Sequence, residues 1–122
     1  MYEVMVESSF SAAHQLREYN GKCENLHGHN WKVQLWIQGA TLQPNGILLD
    51  FYELKNILDS VIKQLDHSNL NELSLFKDKN PTAENLARHL YSRLRNHFEQ
   101  KELCLAKVAV WESDITMSAY FE

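Results

Sequence analysis

From Trp31 to Gln38 the side chains alternate without a break, with Trp31, Val33, Leu35 and Ile37 leaving one side and Lys32, Gln34, Trp36 and Gln38 the other. An extended chain sends successive side chains to opposite faces, so this pattern predicts a strand with one wholly apolar face. A slip of one residue would turn that face to water. The strand is predicted from about His27, and His27 and His29 continue the apolar face at its N-terminal end. The first fourteen residues alternate more loosely, through Tyr2, Val4 and Val6 and then Phe10, Ala12 and His14, and predict a first strand. Between the two lies a polar loop, Arg17 to Asn25, with an Asn20-Gly21 turn signal and Cys23 within it.

Beyond Pro44, Asn45 and Gly46 the period changes. Leu54, Ile57, Leu58, Val61, Ile62 and Leu65 form a helical stripe predicted to end near Leu65 to His67. Asp50 supplies its N-cap, and Glu53 three residues on makes a near capping box. A second helix opens at Asn80-Pro81-Thr82, where Asn80 or Thr82 can cap, and buries Leu86, Leu90, Leu94 and Phe98 with Ala83, Ala87 and Tyr91 beside them. Two last strands, Leu105 to Glu112 and Ile115 to Phe121, are predicted to be joined at Ser113-Asp114. The order β-β-α-α-β-β and two one-sided helices predict an α+β fold, a four-stranded antiparallel sheet with both helices on one face. Such a sheet keeps two open edges and one uncovered face, which assembly into an oligomer would protect.

At 122 residues the chain suits a single domain, residues 1–122. A net charge of −4 argues against nucleic acid as the main partner, since phosphate neutralisation needs a basic face. The sequence has no apolar run near the ~18 residues of a membrane span and no basic leader, so no membrane partner and a cytoplasmic location are expected. Two distant cysteines, Cys23 and Cys104, predict no structural disulfide.

His14, His27 and His29 offer three neutral nitrogen donors. Strand pairing across the loop can bring them together, and three protein ligands with a fourth position open is the pattern of catalytic zinc. An isolated His-x-His also arises on a solvated strand, and imidazole suits nickel, iron or copper as well. Cys23 is either a fourth ligand, closing the site, or a base or nucleophile beside an open metal. Cys104, between Leu103 and Leu105, is predicted to be core. Asp66 can orient and charge His67 for proton transfer, although a histidine near a helix C-terminus also complements the dipole. Glu112 ends the face Val108, Val110, Glu112, where a carboxylate needs a partner, a site or an interface. Glu84 in the first turn of the second helix has an adequate explanation in dipole compensation, and His89 and His97 are predicted to be surface.

Taken in order, Phe10-Ser11-Ala12-Ala13-His14, Cys23-x3-His27-Gly28-His29, Leu65-Asp66-His67, Pro81-Thr82-Ala83-Glu84-Asn85 and Trp111-Glu112 resemble the 6-pyruvoyl-tetrahydropterin synthase and 6-carboxytetrahydropterin synthase family over nearly the whole chain. The resemblance implies a tunnelling fold, in which trimers close their sheets into a barrel and two trimers stack as a homohexamer. It implies Zn2+ on His14, His27 and His29, with Cys23 as the proton-abstracting base and Asp66 and His67 completing a relay across a subunit interface. It carries Glu84 and Glu112 over as contacts to the guanidine-like edge of a pterin, Glu112 also as a relay member, and Thr82 as a weaker pterin contact. The substrate class implied is 7,8-dihydroneopterin triphosphate. Elimination of triphosphate would give a pyruvoyl side chain, whereas carbon–carbon cleavage would leave a 6-carboxyl group and release acetaldehyde and triphosphate, towards queuosine and related deazapurines. The three residues between Cys23 and His27 resemble the carboxy-forming bacterial members, and that outcome is expected, with the pyruvoyl-forming reaction as the alternative. A pterin- or purine-binding protein without turnover is the non-catalytic alternative. Arg17, Lys22 and Lys32 are the nearby cations for the triphosphate.

Overall fold

In the computed structural model, residues 1–18 and 24–122 are described; Lys22 and Cys23 lie outside them. The two long strands, β1 (Tyr2–His14) and β2 (His27–Gly39), pair antiparallel along their whole length, from Tyr2 opposite Gly39 to His14 opposite His27. The hydrophobic face sets this register. Val6 lies opposite Leu35 and Phe10 opposite Trp31, and all four are buried on the same side of the sheet. Helices α1 (Phe51–Ile62) and α2 (Ala83–Glu99) cover that side, α1 against β1 and α2 against β4 (Cys104–Ser113) and β5 (Thr116–Tyr120). Leu54, Leu58, Leu86, Leu90 and Phe98 are fully buried between the layers, as their periodicity predicts. Neither helix is long and apolar enough to cross a membrane.

Five strands form the sheet, in the order β3-β1-β2-β4-β5, where four were predicted. The additional strand, β3 (Ser68–Asn69), is only two residues long and runs parallel to β1 at Ala12 and Ala13. It forms because α1 stops at Ile62, earlier than its apolar stripe suggests, and the chain turns through His67, whose φ is 55°. The His67 amide then donates to the Ser11 carbonyl at 2.6 Å, and the Ser11 amide donates to Asp66 Oδ1 at 2.9 Å. Two asparagine side chains prolong this edge. Asn71 exchanges hydrogen bonds with both backbone groups of Gln15, and Asn80 does the same with Arg17.

The caps and the last hairpin differ in detail from the sequence expectation. Asp50 caps α1 through the Tyr52 amide, but the Glu53 carboxylate pairs with Lys101 rather than turning back to the cap, so the box stays half made. Thr82 caps α2 through the Asn85 amide. The two-residue turn between β4 and β5 is Asp114-Ile115, one residue later than predicted. Trp111 opposes Met117 while Ser113 opposes Thr116, so Glu112 is the extra residue of a β-bulge.

Two side chains predicted as core and surface exchange roles. Cys104 is exposed, because strand alternation sends it away from the face that carries buried Leu105. His89 is half-buried, and its Nε2 has no hydrogen-bond partner among the described residues. Burial, with Arg93 and Lys79 adding to it, holds His89 below its usual pKa of 6.5. The unfolded chain therefore takes up this proton at a higher pH than the folded one, and stability falls as pH drops below about 6.5 until the folded His89 itself titrates. Replacing it in His89→Leu is expected to flatten that part of the curve, read from urea unfolding between about pH 7.5 and about pH 5.5. An unchanged slope would assign the acid sensitivity to other groups.

Candidate functional site

The register that buries the core also gathers the histidines. His14 ends β1 opposite His27, which begins β2, while His29 lies opposite Ala12 on the same face. Gly28 between them faces the other side of the sheet. The ring centroids of the three imidazoles lie 4.7–5.1 Å apart. Trp31, fully buried, floors the group, with its ring edge-on to His14 and His29 and its Nε1 donating to the Ala12 carbonyl at 3.2 Å.

Backbone carbonyls decide where the imidazole protons sit. His14, only 2% exposed, has Nδ1 2.7 Å from the Pro81 carbonyl, and His27 has Nδ1 2.8 Å from the Asn25 carbonyl. A carbonyl can only accept, so each Nδ1 carries the hydrogen and each Nε2 presents a lone pair. Those two Nε2 atoms stand 3.1 Å apart. Two lone pairs at that distance repel unless a cation lies between them. His29 Nε2 is buried without a hydrogen-bond partner among the described residues, and burial holds this imidazole below its usual pKa. His14 and His27 push in the same direction, and Glu112 opposes them.

Glu112 enters from the β4 bulge. Its Oε1 is 3.0 Å from His29 Nε2 and 3.8 Å from His14 Nε2, and one donor atom from each of His14, His27, His29 and Glu112 falls within 4.8 Å of the other three. Three neutral nitrogens and one carboxylate oxygen suit a divalent ion such as zinc, and the orphaned His29 nitrogen and the facing lone pairs fit such an ion better than they fit an empty site.

Glu84 and Glu112 line one shallow depression with Ala83, Thr116, Met117 and Ser118. The Ser118 hydroxyl donates to Glu84, and this bond is the main cause of a carboxyl pKa below the usual range. Thr82 is half-buried at the foot of the same helix, its oxygen engaged in the cap. Asp66 and His67 are not among the converging donors His14, His27, His29 and Glu112. They sit at the β1 edge, Nδ1 to Oδ1 at 3.0 Å, with the His67 side chain 83% exposed and lining a hollow with Ser11, Ala13, Gly28, His29 and Asn30. The Asp66 carboxyl is held below its ordinary pKa, first by the Ser11 amide and then by His67.

The cations near this region are differently employed. Arg17 donates to the carbonyls of Phe76, Lys79 and Asn71 and so ties down the segment before α2. Lys32 lies over the Trp111 ring at 4.5 Å on the far face of the sheet. Neither position follows from nearness in sequence. Sequence reasoning also missed the Pro81 carbonyl, which carries no side-chain signal, and the proximity of Glu112 to the imidazoles, which depends on a bulge.

A family model described as 6-pyruvoyl tetrahydropterin synthase matches residues 3–122. A putative 6-carboxy-5,6,7,8-tetrahydropterin synthase of Archaeoglobus fulgidus is 37% identical over 109 residues, 89% of this chain and 86% of its own. A dihydroneopterin monophosphate aldolase of Pyrococcus furiosus is 32% identical over 111 residues, 91% of this chain and 90% of its own. Among solved structures, the 6-pyruvoyl tetrahydropterin synthase of Caenorhabditis elegans is similar with a TM-score of 0.81 and 30% identity, over 100% of this chain and 97% of that one.

Pro81 is held in place by its neighbour, since Asn80 bonds both backbone groups of Arg17 and its own carbonyl accepts from the Asn85 side chain. Asn80→Ala strands the Arg17 amide and carbonyl, and a loss of about 1–3 kcal/mol is expected in denaturant unfolding. A variant as stable as the parent would show that the clamp is dispensable.

Proposed function

The chain belongs to the 6-pyruvoyl tetrahydropterin synthase family, and we propose that it converts 7,8-dihydroneopterin triphosphate to 6-carboxy-5,6,7,8-tetrahydropterin, releasing acetaldehyde and triphosphate, towards queuosine and related deazapurines. The observation that carries the metal-dependent part is the meeting of His14 Nε2 and His27 Nε2 at 3.1 Å, each imidazole oriented by a carbonyl, beside a His29 Nε2 that has no hydrogen-bond partner among the described residues. These three histidines would hold zinc, which as a Lewis acid lowers the pKa of the substrate's side-chain hydroxyls.

The chain's own groups do the rest. Cys23 acts as the base, a thiolate that removes a proton from the substrate's carbon chain, in keeping with the three residues that separate it from His27-Gly28-His29. Glu84 and Glu112 share one depression and grip the guanidine-like edge of the pterin, paired carboxylates against a planar donor edge. The Thr82 hydroxyl keeps its hydrogen to donate to the same ring, since its oxygen is what accepts in the cap. Asp66 orients His67 as a proton carrier for Cys23, with Glu112 as a further member of the relay. His67 lies on the β1 edge and is not among the donors grouped at His14, His27, His29 and Glu112, which supports a relay supplied by a second copy. Among the described residues, β1 is paired on its outer side only at Ala12 and Ala13, so most of a long strand edge stays open for a homohexamer built from two trimers.

The choice of the carboxy-forming reaction rests on the Cys23 to His27 spacing and on the name of the Archaeoglobus relative. Mass analysis of the product from dihydroneopterin triphosphate decides it: a carboxylated pterin with acetaldehyde is expected, and a pyruvoyl product overturns it. Faster turnover of dihydroneopterin monophosphate, on which the Pyrococcus relative is named as acting, would overturn the triphosphate assignment. Cys23→Ala is expected to slow turnover by about 10²–10⁴-fold with zinc still bound, whereas His27→Ala is expected to lose the metal. Loss of zinc from Cys23→Ala would make the thiol a ligand and the mechanism wrong.

A further inference from the structure

Glu112 stands between two partners it cannot serve together. Towards the sheet, its Oε1 approaches His29 Nε2 and His14 Nε2 at 3.0 and 3.8 Å. His29 Nε2 nonetheless has no hydrogen-bond partner among the described residues, so Oε1 meets it at 3.0 Å as a charge contact rather than as a well-directed hydrogen bond. It converges on the same point as the three ring nitrogens, as a fourth donor would. Towards solvent, the same side chain is 37% exposed and lines the depression that also holds Glu84 and Ser118. A planar donor edge bound there in bidentate fashion would occupy both carboxylate oxygens.

The bulge makes the exchange physically available. Glu112 is the unpaired extra residue between the Trp111–Met117 and Ser113–Thr116 pairs, where ladder bonding is interrupted and the strand can re-aim a side chain. We infer that Glu112 is the exchangeable fourth ligand of the resting metal centre, and that the guanidine-like edge of the pterin, by drawing this carboxylate away, opens the position the substrate's side chain needs. The inference rests on the metal and pterin reading above and adds a sequence of events to it. Recognition of the ring comes first, and the closed four-donor centre becomes an open three-histidine one only when the correct ring is present.

Cobalt(II) in place of zinc provides a visible probe, because its absorption reports the number and kind of ligands. Unsubstituted pterin is the second probe, since it has the guanidine-like edge but no side chain with which to reach the metal. Its binding is followed independently by pterin fluorescence. Saturating pterin is expected to change the visible spectrum of the wild-type cobalt protein. The Glu112→Gln protein is expected to differ from wild type before any pterin is added and to bind cobalt about 10–100-fold more weakly. Identical spectra for wild type and Glu112→Gln would overturn the ligand role, and a wild-type spectrum unmoved by bound pterin would overturn the exchange. Should Glu112→Gln fail to fold, the wild-type titration still decides. A wild-type protein that takes up no cobalt, or no pterin, would overturn the underlying reading of the site as well.

Discussion

The Pro81 carbonyl governs the chemistry of the histidine cluster. By accepting from His14 Nδ1 it fixes the tautomer of the most buried imidazole and leaves Nε2 as a lone pair aimed at His27. Without that carbonyl, His14 could carry its proton on Nε2 and satisfy His27 with an ordinary hydrogen bond. The pair would then be content without a cation. With it, the site stores an unfavourable contact that an ion relieves, in the manner of orienting carbonyls behind metal-bound imidazoles. The carbonyl is itself supported by the Asn80 clamp, by the Thr82 cap and by Arg17 on the preceding segment, so a peptide oxygen is held as firmly as a core side chain.

This dependence explains what could be read from the sequence and what could not. The paired strands, both helices and the histidine face were legible because period two and period 3.6 record which face is buried, and His27 and His29 simply continue the face of Trp31 and Val33. His14 was legible as a partner because it ends the corresponding face of β1. The two-residue β3 was not, since it depends on a left-handed turn at His67 and on hydrogen bonds between Ser11 and residues more than fifty positions away. Glu112 was legible as a carboxylate needing a partner but not as a neighbour of the imidazoles, because its direction depends on a bulge that no periodicity encodes. The exposure of Cys104 was not legible in its apolar neighbours Leu103 and Leu105, because strand alternation turns a residue's neighbours to the opposite face.

The histidine cluster and the Asp66–His67 pair lie in different surroundings for a reason that begins in packing. The face carrying Phe10, Ala12 and His14 is covered by helices, so His14 at its end is sheltered from water, which would compete with metal ligation. A proton carrier, the role proposed for His67, has the opposite need, since it must exchange its proton, and the His67 side chain is 83% exposed. One strand cannot present both environments on one face. The left-handed turn at His67 therefore puts the Asp66–His67 pair at the outer edge of β1, bonded to Ser11 beside the short β3, where in the proposed hexamer an adjoining copy would receive it. Oligomeric assembly in the proposed function does more than cover an open edge: it is the step that would bring an exchangeable proton carrier to the base of a second copy.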